Sequence, residues 1–140
     1  AMIKRFSEAK RISSEYVTCW GSGNPLREFL YVDDLGDAVV FALEKWDPKS
    51  KNAPSDKQGN PLFYLNVGTG KDIRIKELAK KIAEFCEYSG KIYWDSTKPD
   101  GTFRKILDSS KIESLGWKPT IDLDTGIKLT VEDYKKKFLN

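Results

Sequence analysis

Histidine is missing from this sequence of 140 residues, and the sequence has only two cysteines and one methionine. Without histidine the chain has no Ser-His or Cys-His nucleophile pair, no imidazole acid or base, and few ways to build a zinc site. Cys19 and Cys86 lack metal-ligand spacing, which indicates reduced structural thiols and a cytoplasmic protein. We therefore predict that the chain has no metal site.

Long hydrophobic runs are also missing. No apolar stretch approaches the roughly 18 residues of a membrane span, and no secretory hydrophobic region stands near the start. Hydrophobic residues at 39% and charged residues at 32% fit one folded domain over residues 1–140. The net charge of +3 is too small for strong attraction to nucleic acid or to anionic membranes. We expect a soluble protein with neither a membrane nor a nucleic acid as its partner.

Two glycine-rich segments imitate nucleotide-binding loops without meeting their requirements. Residues 68–71 (GTGK) resemble the end of a P-loop, but Asp72 stands where a serine or threonine is required. Residues 21–23 (GSG) lack the third glycine of the dinucleotide fingerprint, because Leu26 occupies that position. No tyrosine has a lysine four positions on, so the Tyr/Lys pair of hydride-transferring enzymes is missing too. We predict no cofactor-binding and no catalytic residue in this chain.

The elements that the residue pattern does predict alternate between helix and strand, which favours an α/β fold. Residues 2–10 are predicted to be helical without an N-cap before them, so we expect a chain truncated inside an element. Strands are predicted at residues 16–20, 28–32, 63–67 and 91–94, the third of them buried in a parallel sheet. Helices are predicted after the N-cap Asp33, over residues 75–86, before Gly116 and at the end. Residues 47–61 are predicted to form an exposed loop.

Positively charged and aromatic residues stand beside turns rich in glycine and proline. They are Arg5, Trp20, Arg27 and the run 98–105 (KPDGTFRK). Loops beyond strand ends are where open α/β sheets bind ligands, and the guanidinium fork of arginine suits a diphosphate. Judged by spacing alone, Trp20 is more often a core aromatic than a ligand contact, and the basic run is equally an ordinary solvated loop.

Four segments resemble, in order, the GDP-L-fucose synthases, which are GDP-4-keto-6-deoxymannose epimerase/reductases of the extended short-chain dehydrogenase/reductase superfamily. They are residues 20–34 (WGSGNPLREFLYVDD), 65–70 (LNVGTG), 98–102 (KPDGT) and 115–117 (LGW). The first two recur among extended sugar-nucleotide epimerases, whereas the last two are more particular to fucose synthases. The sequence departs from the family pattern at Tyr31, usually histidine, and at Phe103, usually proline.

The resemblance implies a C-terminal substrate-binding lobe with the last strands of a Rossmann-type sheet, and without the N-terminal NADP-binding portion. It implies that the full-length protein uses NADP to convert GDP-4-keto-6-deoxy-D-mannose to GDP-L-fucose. In the family, the cofactor turn and the catalytic Ser, Tyr/Lys, Cys and His precede these segments. We therefore expect the 140-residue chain to be inactive alone and to bind a nucleotide sugar at most.

By the same resemblance, five residues of this chain bind the substrate. Arg5, Arg27 and Lys105 are expected to neutralise the GDP phosphates or to hold the sugar. Trp20 is expected to contact the base or the sugar, and Asp100 to accept hydrogen bonds from hydroxyl or amino groups.

Two other functions stay open at this point. The chain could belong to a different sugar-nucleotide epimerase or dehydratase, which would prefer UDP- or dTDP-sugars. It could also be a free-standing module for a phosphate-bearing ligand or nucleic acid, and nucleic-acid binding would weaken steeply with salt. If the chain is truncated as expected, a strand without its neighbour would expose an edge, so we expect dimers or larger homo-oligomers.

Overall fold

The computed structural model describes residues 1–139. Its elements in chain order are α1 (Met2–Arg11), β1 (Tyr16–Trp20), β2 (Leu26–Glu28), α2 (Val32–Lys45), β3 (Asp72–Arg74), α3 (Ile75–Phe85), β4 (Lys91–Asp95), β5 (Arg104–Lys105), α4 (Ser110–Ser114) and α5 (Leu123–Phe138). The alternation of helices and strands is α/β, as predicted. Within this described range, no helix combines the length and the apolar character that crossing a membrane requires.

The chain divides into two compact units, each with its own cluster of buried apolar side chains. Unit 1 comprises Ala1–Arg27, Asp72–Lys105 and the residues from Leu123 onward, and unit 2 comprises Glu28–Lys71 and Ile106–Asp122. The expectation of a single domain over residues 1–140 stays a prediction, because two compact units can still unfold together as one domain.

Unit 1 is built on the parallel pair of strands β1 and β4, against which its helices bury their apolar faces. Along β1 the side chains alternate, with Val17 and Cys19 buried between exposed neighbours. Helix α3 buries the stripe that its 3.6-residue period predicts, and α1 contributes the fully buried Phe6. This core holds the carboxyl ends of β1 and β4 at one edge of the unit.

A three-stranded sheet with the order β3-β2-β5 accompanies that pair. Strands β2 and β5 are parallel, and Leu26 donates its N–H to the Phe103 carbonyl at 2.8 Å. The predicted strand over residues 28–32 is therefore wrong in position, because the pairing with β5 occurs two residues earlier in the chain. Residues 32–45 have already entered helix α2.

Helix α2 of unit 2 begins at Val32, with Tyr31 at the N-cap, so the prediction of Asp33 as N-cap is wrong. The buried neighbour Asp34 has the larger structural role. Its carboxylate accepts hydrogen bonds from the Thr120 N–H at 3.1 Å, the Thr120 hydroxyl at 2.9 Å and the Ile121 N–H at 2.9 Å. Burial raises the pKa of Asp34, but together these hydrogen bonds lower it by more than burial raises it. The resulting pKa is below the ordinary value.

The buried strand predicted over residues 63–67 is also wrong. These residues form no strand within the part of the chain that the structure describes, and the side chains of Phe63 and Tyr64 are 71% and 66% exposed. Leu65 and Val67 instead pack against the buried cluster of unit 2. The polar segment 47–61 is a loop of turns closed by one β-bridge, as predicted.

Candidate functional site

The candidate site lies in unit 1, at the edge where the parallel strands β1 and β4 end. Trp20 and Asp95 are register partners at this edge, and the Gly21 N–H donates to the Asp95 carbonyl at 2.9 Å. Because the strands are parallel, the loops that follow them leave the sheet side by side. Residues 21–25 and 96–103 are therefore neighbours at a position where α/β proteins bind ligands.

The Trp20 side chain is 68% exposed, so the interpretation of this residue as a core aromatic is wrong. The Nζ of Lys98 lies 5.9 Å from the centroid of its ring, within the range of a cation–π interaction. The ring is thus available at the strand end, with an ammonium group beside it. Contact of Trp20 with base or sugar stays a prediction.

Asp100 ties the loop after β4 to the loop after β1. Its Oδ1 accepts a hydrogen bond from the Ser22 N–H at 2.8 Å, and its Oδ2 accepts one from the Ser22 hydroxyl at 2.5 Å. The Ser22 hydroxyl and then the Ser22 N–H hold the pKa of Asp100 below its ordinary value. Each carboxylate oxygen has a second lone pair, so the predicted contact with substrate is compatible with this tether.

Gly21 makes the Asp100 tether possible. Its φ is +79°, which side-chain-bearing residues rarely adopt, and a Cβ at this position would strike the Asp100 carboxylate. The glycine therefore has two independent structural requirements, one in its backbone conformation and one in the space around it.

Arg27 and Lys105 are register partners on the parallel strands β2 and β5. Arg27 is half-buried and donates from Nη1 to the Leu26 carbonyl at 2.7 Å, whereas Lys105 is exposed. A Cβ at Gly101 would lie 3.2 Å from Arg27 Nη2, so the glycine leaves room for the guanidinium. Directly opposed residues of neighbouring strands share a face, so the two cations can converge on one anionic group.

Arg104, between Phe103 and Lys105, has a structural partner instead. Its Nε lies 2.5 Å from Asp72 Oδ2, and this ion pair joins β5 to β3 across the intervening β2. Arg104 is exposed, which agrees with the interpretation of residues 98–105 as a solvated segment, but it lies in β5 and is paired with Asp72. Spacing in the sequence gave no signal for the pair, because 32 residues separate its members.

Arg5 contributes from helix α1 rather than from a loop. Its Nη1 donates to the Thr18 carbonyl of β1 at 2.9 Å. Burial raises the pKa of the adjacent Cys19 thiol, and the Arg5 guanidinium partly opposes this. Arg5 is thus fixed to the strand that ends in Trp20, and its remaining N–H groups stay available to an anion.

Carboxylates of the chain itself occupy both glycine-rich loops that imitate phosphate-binding motifs. Asp100 fills the space beside Gly21. In unit 2, Glu28 Oε1 accepts the N–H groups of Thr69 and Gly70, both at 2.6 Å. Each carboxylate lies where a bound phosphate would otherwise accept backbone hydrogen bonds, and the expectation that this chain has no cofactor-binding residue stays a prediction.

Known proteins resemble this chain along nearly all of its length. The model of the NAD dependent epimerase/dehydratase family matches residues 1–54. The probable GDP-L-fucose synthase 1 of Oryza sativa subsp. japonica is 47% identical over 135 residues, which cover 96% of this chain and 36% of the relative. GDP-L-fucose synthase 1 of Arabidopsis thaliana is 44% identical over 140 residues, which cover 100% of this chain and 39% of the relative. This chain is similar to about two fifths of a GDP-L-fucose synthase.

A solved structure supports the same relationship at the level of the fold. The GDP-mannoheptose C4 reductase of Campylobacter jejuni, with NADP bound, has a TM-score of 0.79 and 34% identity, covering 96% of this chain and 43% of that one. The predicted fold class, part of an extended short-chain dehydrogenase/reductase, is thereby confirmed. The chain spans about two fifths of the length of the curated synthases it matches.

The structure brings four of the predicted site residues to neighbouring strand ends and loops, namely Trp20, Arg27, Asp100 and Lys105. Arg5 joins them through the backbone of β1. Sequence reasoning missed Ser22 as the partner of Asp100, although serine after glycine in a tight turn is a common hydrogen-bonding position. Binding of substrate by the five residues stays a prediction.

Proposed function

We propose that the complete protein is an NADP-dependent GDP-L-fucose synthase, which converts GDP-4-keto-6-deoxy-D-mannose to GDP-L-fucose. This chain would supply the part that binds the GDP-sugar. The observation that supports the proposal best is the placement of an exposed Trp20 and the paired cations Arg27 and Lys105 at strand ends. The chain that presents them is 44% identical to an Arabidopsis GDP-L-fucose synthase over 140 residues.

In this proposal each residue has a task that its geometry permits. Arg27 and Lys105 neutralise the diphosphate from adjacent strands, and Arg5 adds a third cation from α1. Trp20 offers a flat face to the base or the sugar, and Asp100 accepts from a hydroxyl or amino group while holding its loop. These residues bind and orient the substrate, and none of them is assigned a proton or hydride transfer.

Thermal unfolding in the presence of GDP-mannose tests this assignment. A ligand that binds only the folded state raises its unfolding temperature, so the wild-type chain is expected to gain stability with GDP-mannose. Arg27→Gln should reduce that gain, whereas Arg11→Gln, which removes an exposed charge at the end of α1, should leave it intact. Equal gains in the wild type and Arg27→Gln would count against the proposed site.

NADP enters the proposal only for the complete protein. NADPH bound there would supply the hydride, and we propose that the glycine-rich loops of this chain do not hold it, because Glu28 and Asp100 of the chain occupy them. We therefore expect the 140-residue chain alone to oxidise no NADPH when GDP-4-keto-6-deoxy-D-mannose is added, and the complete protein to do so. Turnover by the isolated chain, followed at the absorbance of NADPH, would overturn this division of roles.

The cellular setting and the assembly belong to the proposal as well. Cys19 and Cys86 are both free and buried, which favours a reducing compartment such as the cytoplasm. We also propose that the protein forms homo-oligomers. We propose neither a membrane nor a nucleic acid as a partner. The ion pair of Arg104 with Asp72 neutralises one cation of the basic segment 98–105, which weakens its attraction to a polyanion.

A further inference from the structure

We propose that Lys98 is a further nucleotide-sugar-binding residue, and that Trp20 holds its ammonium in position for the diphosphate. This inference rests on the proposed GDP-sugar site and adds to it a residue outside the five predicted ones. The pair is seen directly, with Lys98 Nζ 5.9 Å from the centroid of the Trp20 ring.

The loop that bears Lys98 is fixed on the side nearer β4. The Lys98 N–H donates to the Asp95 carbonyl at 3.2 Å, and that same carbonyl accepts the Gly21 N–H at 2.9 Å. The Asp95 carboxylate accepts from the Thr97 N–H at 3.1 Å and the Thr97 hydroxyl at 2.5 Å. The backbone of Lys98 is therefore joined to the end of the parallel strand pair by hydrogen bonds on two consecutive residues.

Two positions beyond Lys98, the loop is fixed again through Asp100 and Ser22. The Ser22 hydroxyl also accepts the Asn24 N–H at 3.1 Å, which extends the tether into the loop after β1. A lysine on a free loop would lose much side-chain and backbone entropy on meeting an anion. Because both ends of the loop are anchored, its backbone has already lost that entropy when the protein folds.

The Trp20 ring restricts the side chain of Lys98 in addition. A ring face attracts an ammonium, and the attraction limits the positions of an otherwise flexible four-carbon stem. The ring has two faces, so an ammonium on one face leaves the other for the base or the sugar. Lys98 then stands at the strand end where Trp20 is expected to meet the nucleotide, with three donors and no carboxylate partner in the described contacts of residues 1–139.

Calorimetric titration with GDP-mannose at two salt concentrations tests the role of Lys98. Lys98→Gln is expected to raise the Kd about tenfold, the scale of one charge-assisted contact, and to make the Kd less sensitive to salt because one cation is missing. Lys98→Arg keeps the charge and the ring contact, so its Kd should stay within about twofold of the wild type. Lys91→Gln, an exposed lysine at the first residue of β4, serves as the matched control and should change neither quantity.

The ring is tested by the same titration. Trp20→Phe keeps a π face and should preserve most of the affinity, whereas Trp20→Leu should weaken binding. Combining Trp20→Leu with Lys98→Gln should cost less than the sum of the two single losses, because both remove the same positioned ammonium. Additive losses would show that Trp20 and Lys98 act separately and would overturn the positioning role of Trp20.

The remaining outcomes separate this inference from the proposed function. If the wild type binds GDP-mannose and Lys98→Gln binds equally well, Lys98 has no binding role and only this inference fails. An increased Kd with unchanged salt sensitivity would assign Lys98 to loop structure and would also overturn it. If the wild-type chain does not bind GDP-mannose, the proposed site in this chain fails, and the inference fails with it.

Discussion

At Asp100, one carboxylate accepts two hydrogen bonds from Ser22, and these lower its pKa in the folded protein. In the unfolded chain the carboxyl group returns to its ordinary pKa. The tether therefore stabilises the folded loop above the ordinary pKa and is lost as the pH falls through the lowered one. We expect GDP-mannose affinity to hold from neutral pH down past the ordinary aspartate pKa of about 3.9, and to fall only as the pH drops through the lowered pKa of Asp100.

Asp100→Asn is the control for this pH dependence. The asparagine cannot ionise, so the variant should lose less affinity for GDP-mannose than the wild type does as the pH falls. Its affinity at neutral pH should already be reduced. If both proteins lose the same share of affinity at low pH, the loss belongs to other carboxylates. Asp108 is one candidate, because hydrogen bonds from Ser110 lower its pKa as well.

Asp34 and Asp33 are adjacent carboxylates with different surroundings, so replacing each by alanine should affect stability differently. Asp34→Ala leaves the N–H groups of Thr120 and Ile121 without their acceptor, and should lower the free energy of unfolding by about 2–3 kcal/mol. Asp33→Ala removes an exposed carboxylate from the same helical turn and should change it by about 0.5 kcal/mol or less. Urea unfolding of both variants measures the difference, and similar values would contradict the burial-based explanation.

Among the secondary-structure elements, helix α3 and strand β1 were predictable because each repeats one local rule. The stripe that α3 buries follows a period of 3.6 residues, and β1 alternates buried and exposed residues up to Gly21. Residues 63–67 failed under similar reasoning. Their apolar character was read as burial in a sheet, but a strand requires a neighbour, and pairing with a distant segment leaves no periodic trace in the sequence.

The short strands β2, β3 and β5 were unpredictable for the same reason. Each has two or three residues, and their sheet is joined by long-range contacts such as the Arg104–Asp72 ion pair. Local propensity is too weak over such lengths to define a strand. Knowledge of the pairing partners was required to place β2 at Leu26–Glu28.

Glycines in a turn and in a helix predict opposite effects of the same substitution. Gly21→Ala adds a Cβ against Asp100 at a φ of +79°, and should destabilise the protein by about 1 kcal/mol or more. Gly36→Ala lies inside α2 with no atom within 4 Å of the new Cβ, and should stabilise it by about 0.5–1 kcal/mol. Thermal unfolding of the two variants shows whether each substitution raises or lowers the stability. A stabilised Gly21→Ala variant would contradict the tether at Asp100.

On the scale of the whole molecule, the predicted self-association has a candidate surface in unit 2. Helix α2 exposes apolar side chains at Val32, Leu35, Val39, Val40 and Leu43, the last being 82% exposed. A contiguous apolar helix face of this kind is usually covered in an assembled protein. We expect dimers or larger species in sedimentation velocity, and a Val39→Glu/Leu43→Glu variant should shift the population toward monomer.

The matched control for that experiment is Ser50→Glu/Asn52→Glu, which adds the same two negative charges to the exposed polar loop of unit 2. This variant should sediment like the wild type. A strictly monomeric wild type would overturn the prediction of homo-oligomers.

The candidate site was predictable in part because Trp20, Arg27 and Asp100 lie in short sequence segments typical of a family. The exposure of Trp20 contradicts the interpretation that spacing alone favoured, and the hydrogen bonds of Asp100 depend on a serine 78 residues away. The contact of Lys98 with the ring depended likewise on two loops brought together by parallel strands. Residue types could thus be predicted, whereas their partners came from the fold.

We propose above all that this chain binds a GDP-sugar at the carboxyl ends of β1 and β4. Calorimetric titration of the wild-type chain with GDP-mannose, with UDP-glucose and NADPH alongside, is the decisive test. We expect measurable binding of GDP-mannose, much weaker binding of UDP-glucose and none of NADPH. Equal or stronger binding of UDP-glucose would contradict the GDP-sugar assignment, and binding of none of the three would contradict a substrate site formed by this chain alone.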